Sequence, residues 1–375
     1  MANEHPYRDP IPPLSDGHAR PRWSVMVPTY NARPEYLREA LTSVLEQDPG
    51  PDTMQIEVVD NCSDRTNTEA LVREIGSGRV DFYRQPENVG HIANFNTCLQ
   101  RSRGELVHVL HDDDAVRERF YETLAKPFAE HPEIGAAFCR HIIMDEHSHW
   151  QSITWLEEQT SGILKNWLQR IIVELRIQFV AMVVRRDVFE QLGGFDRRLD
   201  IGNDWEMWIR IANRYPVWYE TEPLALHRFR SASLGRQSAR VGEESRGLLR
   251  ALEIARSDLN GRFPDATADL LFSEARENVA RSALWTAGRL IEEWDMHSAM
   301  RLVGEALRSS RSRRTIRATA EFLIWVAERQ VQVARGRLVH EGVGPKGRTL
   351  RLRAPRAVRR KLAAVALGSR SRTSG

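Results

Sequence analysis

The sequence predicts an α/β fold with a mostly parallel sheet, followed by a separate helical region. Three observations carry that expectation. Short apolar runs alternate with amphipathic stretches from Trp23 to Cys139. Polar clusters follow three of those runs directly. Strand-like runs then vanish near residue 240, where Leu, Ala, Arg and Glu recur at helical spacing. Alternation of this kind builds layered sheets with helices on their faces.

The first run, Trp23–Pro28, is short, apolar and ended by proline, and reads as a buried strand. Over Pro34–Gln47, Tyr36, Leu37, Ala40, Leu41, Val44 and Leu45 recur at three- and four-residue intervals, which predicts a helix. Ile56–Val59 is the second strand, Glu69–Ile75 the next helix and Val80–Tyr83 the third strand. Ile92–Arg101 is helical, Leu106–Leu110 is the fourth strand, Arg119–His131 a further helix and Gly135–Cys139 a further strand. Between 240 and 335 the pattern is helical throughout, with Leu248, Leu249, Leu252 and Ile254, then Leu284, Leu290 and Ile291, then Leu302, Ala306 and Leu307. Beyond Gly336 the chain is rich in Arg, Gly and Pro, with one basic amphipathic stretch at Ala357–Leu367. The first 21 residues are polar and Pro-rich and read as a disordered lead-in.

Charge is distributed unevenly. From Arg308 to Gly375 there are 18 Lys and Arg against 3 Glu, a net +15, so the overall +3 leaves residues 1–307 at −12. A basic end of this kind suits an anionic lipid surface. It lacks the interleaved aromatics of single-strand nucleic-acid binders, so no nucleic-acid partner is expected. The three cysteines, Cys62, Cys98 and Cys139, are widely spaced and read as reduced thiols. The longest apolar runs, Phe179–Val184 and Phe322–Ala327, fall far short of the ~20 residues that span a bilayer. The expectation is a cytoplasmic protein, with peripheral contact at the inner membrane face through the basic tail.

The polar clusters concentrate at strand carboxyl ends. Thr29, Tyr30 and Asn31 follow the first strand, Asp60 and Asn61 the second, and Asp112, Asp113 and Asp114 the fourth. Ligands in such sheets bind beyond those ends. Three adjacent carboxylates repel one another, and a hard divalent cation relieves them. A solvated turn with one Asp capping the next helix is the alternative.

These residues resemble the family 2 glycosyltransferases of the GT-A fold over roughly residues 22–232. The matching elements run in order: Val27 to Asn31; Val59-Asp60-Asn61-Cys62-Ser63-Asp64; Asn88-Val89-Gly90 with Asn94 and Asn96; Gly104-Glu105; Leu110-His111-Asp112-Asp113-Asp114; Gly193-Gly194-Phe195-Asp196; and Asn203-Asp204-Trp205-Glu206-Met207-Trp208. The resemblance implies a GT-A domain at 22–238, followed by a helical region at 239–335 and a flexible basic tail at 336–375.

It also implies roles. Pro28, Thr29 and Tyr30 would hold the base and ribose of a nucleotide-sugar, with Tyr30 at the base or packed at the sheet rim. Asp60 and Asn61 stand where the family has two acids, and uridine remains the favoured base because an Asn amide both donates and accepts. Asn88 and Gly90 form a strand-to-helix turn or touch the ligand directly. The Asp112-x-Asp114 pair matches the family's metal motif and implies Mn2+ or Mg2+, with Asp114 the first ligand, Asp112 the second, and Asp113 between them at the donor. Family members often carry Asp where this chain has His111. Asp204 matches the catalytic base, with Asn203 where a Glu is usual. Trp205 would stack on the sugar or be buried with Trp208. Arg230 stands where a family His is common, and Arg228 or Arg230 would clamp the diphosphate.

Together these imply an inverting, metal-dependent transferase. Its donor would be a nucleotide-sugar, UDP-sugar first, and its acceptor a glycan or lipid-linked hydroxyl in polysaccharide assembly. Two alternatives compete. A sugar nucleotidylyltransferase would show a basic Gly-rich loop after the first strand, and none follows Trp23–Val27. A non-catalytic scaffold of the same fold has no physical need for both the Asp triplet and Asp204.

Overall fold

A computed structural model describes residues 5–14, 20–229, 238 and 240–334. Arg230 and the tail from 335 onward lie outside the described residues. The chain divides into two units, one of residues 1–236 with 250–271, the other of 237–249 with 272–375.

The first unit is built on a mixed ten-stranded sheet. Its strands are β1 (Trp23–Thr29), β2 (Met54–Asp60), β3 (Asp81–Arg84), β4 (Leu106–Val109), β5 (Ala115–Val116), β6 (Ala136–Met144), β7 (Trp150–Ile153), β8 (Gly162–Ile163), β9 (Met182–Arg185) and β10 (Val217–Arg228). The main path runs β3-β2-β1-β4-β9-β6-β10-β5, with β7 on β6 and β8 on β10. Strands β3, β2, β1 and β4 are mutually parallel, and β10 is parallel to β6. The apolar run at 179–184, legible only as too short for a membrane, supplies β9. That strand lies antiparallel between β4 and β6. Two successive reversals return β6 and β10 to the direction of β4, so the carboxyl ends of β1, β4 and β10 share one rim.

Helices α1 (Pro34–Leu45), α2 (Thr68–Gly76), α3 (His91–Arg101), α4 (Phe120–Glu130), α5 (Trp167–Val173), α6 (Arg186–Leu192) and α7 (Asn203–Arg214) cover the sheet. Proline opens α1, where its missing N–H is harmless. Tyr36, Leu37, Ala40, Leu41 and Val44 form its buried stripe. Asn67 caps α2 by accepting from the Ala70 N–H. Central strands β1 and β2 are buried along their whole length, as expected of a sheet covered on both faces. At Gly104 an added Cβ would lie 2.4 Å from the Trp23 carbonyl carbon, so glycine lets the turn into β4 run against β1.

The N-terminal segment corrects one expectation. Residues 5–14 are not a loose lead-in but pack onto the first unit. Ile11 is buried, and Arg8 pairs with Asp196, Glu206 and Asp258. Asp9 accepts from Asn96 on α3 at 2.8 Å. The segment has no periodicity because it docks through single side chains rather than a regular face.

Further helices among the described residues are α8 (Glu243–Asp258), α9 (Asp265–Glu292), α10 (Met296–Ser309) and α11 (Arg313–Ala334). The division at 239 is therefore not clean. The carboxyl half of α8 belongs with the sheet unit, where Ala251 and Ile254 pack with Leu199. The second unit has its own core, drawn from Ala283, Ala287, Leu302, Ala306, Phe322 and their neighbours. No described helix is long and apolar enough to cross a membrane.

Candidate active site

The rim formed by the ends of β1, β4 and β10 gathers most of the titratable groups singled out by the sequence. The Asp triplet lies immediately beyond β4. A ring nitrogen of His111 and one carboxylate oxygen each from Asp113 and Asp114 all lie within 4.8 Å of one another. His111 packs between Phe95, centroid separation 5.3 Å, and Phe179, at 4.7 Å. Its Nε2 is buried and has no hydrogen-bond partner among the described residues. Burial lowers the imidazole pKa, partly opposed by Asp114 and Asp113. A neutral imidazole with an orphaned nitrogen beside two carboxylates is a fitting donor set for a divalent cation.

Asp112 is placed differently from expectation. Its carboxylate accepts the Thr29 hydroxyl at the end of β1, so it joins the first and fourth strand ends instead of completing the cation cluster.

Asp114 is almost fully buried and accepts from the Arg228 backbone N–H at 2.8 Å. His227 Nδ1 lies 3.2 Å from the same oxygen, within ion-pair range but without hydrogen-bond geometry. Burial alone would raise the Asp114 pKa. His227, His111 and the Arg228 N–H outweigh burial and hold it low. His227 responds in the opposite sense. Burial would lower its pKa, but Asp114, Asp113 and Asp204 hold it above the ordinary imidazole value. His141 on β6 faces His227 edge-on at 6.0 Å, and burial drives it down to about 4.

Asp204 sits in the first turn of α7, after Gly202 in a left-handed conformation at φ +78°. Its Oδ1 accepts the Trp205 N–H at 2.8 Å. Burial raises its pKa to about 6, against the lowering effects of the Trp205 N–H, its own N–H and His227. A carboxylate in a first turn is ordinarily favoured by the helix dipole. Desolvation wins here, although the residue keeps partial solvent contact. Asp204, like Asp114 and Asp113, acts to raise the His227 pKa.

Three expected donor contacts are spent elsewhere. Asp60 is sealed from solvent and accepts from the Ser63 N–H, the Ser63 hydroxyl and Arg84 at 2.9 Å. Asn61 donates to Asn88 at 3.0 Å and accepts from the Val89 N–H at 2.9 Å, while Asn88 also takes the Gly90 N–H. These three residues shape the loop rather than lining it with free groups. Gly90 has φ +83° with open space where a Cβ would stand, so backbone conformation, not crowding, selects glycine. Of the β1 cluster, Pro28 and Thr29 are buried while Tyr30 is 44% exposed at the rim. Asn94 donates to the Val59 carbonyl and secures α3 under this loop.

One open reading is decided and one expectation is corrected. Trp205 does not offer its ring to a sugar: it is buried, and its indole N–H donates to the Ile171 carbonyl. Trp208 is likewise buried, edge-on to Phe179. Arg228 is not available as a phosphate clamp. Its guanidinium donates to the Asp113 carbonyl, the Asp145 carbonyl, Ser148 and Glu39, and lies 4.3 Å from the centre of the Tyr36 ring. It holds the acidic loop in place. The sequence reading passed over His227, whose only signal was its position at the end of a strand reaching the same rim.

The mixed sheet flanked by helices is a fold of GT-A glycosyltransferase type. Residues 24–193 match the family model described as Glycosyl transferase family 2. Among relatives, the O-antigen biosynthesis protein RfbC of Myxococcus xanthus is 26% identical over 211 residues, which cover 51% of this chain and 16% of RfbC. Among solved structures, residues 1–349 of S. aureus TarS in complex with UDP superpose with TM-score 0.53 at 15% identity, covering 76% of this chain and 91% of that one. The mannosyltransferase PcManGT of Pyrobaculum calidifontis, in complex with GDP-Man and Mn2+, gives 0.50 at 19% identity, covering 89% and 90%.

Proposed function

We propose that this glycosyltransferase inverts configuration, uses a UDP-sugar with a divalent cation, and acts on a glycan or lipid-linked acceptor in polysaccharide assembly. The observation that carries the reading is the contrast between two acidic sites that both act on His227. Asp204 is held up near 6, while Asp114 beside His111 is held low. Two carboxylates pushed apart in this way divide the labour of base and charge clamp.

Asp204 takes the proton of the acceptor hydroxyl as its oxygen attacks the anomeric carbon. The bond from that carbon to the diphosphate oxygen breaks on the opposite face, and its electron pair leaves with the nucleotide. A base poised near 6 is well matched to neutral pH. Asp114, Asp113 and His111 would hold the cation, and the mixed nitrogen and oxygen set favours Mn2+ over Mg2+. When bound, that ion neutralises charge on the departing diphosphate. Asp112, fixed by Thr29, is left at the edge of the nucleotide pocket, where it is suited to the ribose. Exposed Tyr30 offers a face to the base. The UDP and GDP-Man complexes of TarS and PcManGT support a nucleotide-sugar donor, and RfbC supports a polysaccharide role.

The test is nucleotide release from a panel of UDP-, GDP- and dTDP-sugars, with Mn2+ or EDTA, in wild type and Asp204→Asn. Metal-dependent release from a UDP-sugar, lost in the variant, is the expected result. Equal release in EDTA would overturn the metal assignment, and silence across the panel would favour the scaffold reading.

A further inference from the structure

We infer that the outer face of α11 is a docking surface for an anionic lipid membrane. This helix has two apolar stripes. One, formed by Phe322 and Val326 with Thr315 and Thr319, is buried in the core of the second unit. The other comprises Ile316, Ala320, Leu323, Ile324 and Ala327, all exposed, with Ile316 at 52% and Ile324 at 60%. Spacings of four, seven, eight and eleven residues place these five within an arc of about 100° on the helix surface. A helix that serves only to cover a core carries polar residues there.

Charge decides the partner. Arg313, Arg314 and Arg317 stand at the amino-terminal end of the stripe, and the chain from Arg335 to Gly375 carries 12 Lys and Arg against one Glu. A second copy of this chain would bring the same positive charge against itself. An anionic bilayer supplies apolar depth for the stripe and negative headgroups for the arginines. An apolar face joined to a polybasic segment is the two-part combination that holds proteins on such surfaces.

The experiment uses the full chain with phosphatidylglycerol and phosphatidylcholine vesicles, at low and high salt, read by co-sedimentation. The variants are the triple Ile316→Ser, Leu323→Ser, Ile324→Ser, and the single Ile324→Trp, each checked for native circular dichroism. Because all three positions are exposed, the fold is expected to persist. The wild type should bind phosphatidylglycerol vesicles, and high salt should weaken that binding. The triple variant should lose on the order of tenfold more at high salt, where screening leaves the apolar stripe to act. Ile324→Trp should bind more tightly. Three results would overturn the inference: no binding by the wild type, equal binding by wild type and triple variant at both salts, or a wild-type dimer that the triple variant abolishes.

Discussion

At the scale of single residues, Asp204 is where burial and chemistry conflict. The carboxylate must be ionised to accept a proton, so acceptor transfer should rise with pH through about 6 and flatten above it. A kcat/KM profile checks this, and an acid limb near the ordinary carboxylate value would remove Asp204 from the base role. Asp204→Asn should cost about 10²–10⁴-fold in kcat, with donor KM little changed. The same shift has a consequence for stability. A carboxylate whose pKa is raised in the folded state makes folding less favourable as pH rises from about 4 to about 6. Asp204→Asn should therefore melt higher than wild type at pH 7.5, by about 1–3 kcal/mol, and lose that advantage near pH 4. Equal melting at both pH values would mean that the carboxylate is not desolvated. Asp204 was legible because its motif follows the others in order. The orphaned Nε2 of His111 was not, because only packing against Phe95 and Phe179 seals that nitrogen from solvent.

At the scale of elements, long-range side-chain ties decide which residues are free to act. Arg228, at the end of β10, holds the Asp113 backbone while its own N–H holds Asp114, and Glu39 on α1 anchors the guanidinium. Arg228→Met should raise the Mn2+ concentration for half-maximal activity by about 10–100-fold, with partial recovery in Arg228→Lys. An unchanged metal requirement would reduce Arg228 to a packing role. Arg8 ties the N-terminal segment to buried Glu206 on α7 and to Asp196. Arg8→Met should destabilise by about 1–3 kcal/mol, less than for an abandoned buried charge, because Arg210 and Arg198 still pair with those acids. Urea melts check this, and an unchanged midpoint would mean that the segment is only draped on the surface. Neither tie could be read in advance. Periodicity finds α1 and β1, whose buried faces repeat, but residues 5–14 dock through single side chains and through backbone hydrogen bonds to residues 194–197. Trp205 had two open readings because helical spacing gives the same pattern for a buried ring and a stacking one. The indole N–H on the Ile171 carbonyl distinguishes them.

At the scale of the whole molecule, strand order and strand direction carry different information. The alternation of runs and helices made the parallel half β3-β2-β1-β4 legible. The antiparallel insertion of β9 was not, since a short apolar run has no direction until it is paired. That insertion brings β10, and with it His227 and Arg228, to the rim that holds the Asp triplet. The proposed nucleotide site thus joins chain segments more than a hundred residues apart, and ligand binding there should stabilise the sheet unit through mass action. UDP with Mn2+ at about 100-fold over its Kd would contribute about 2.7 kcal/mol, a rise of roughly 5–10 °C for a unit of this size. EDTA should cancel the rise, and so should Asp114→Asn, because the residues that would hold the cation lie in the loop after β4. If UDP raised the melting temperature equally with and without metal, the nucleotide would be held by the β1 and β2 loops alone, and the His111, Asp113 and Asp114 cluster would have no part in donor binding. A larger rise with GDP than with UDP would keep the cluster's role and move the base preference to guanine. Asn61 in place of a second acid leaves room for that outcome, since its amide both donates and accepts.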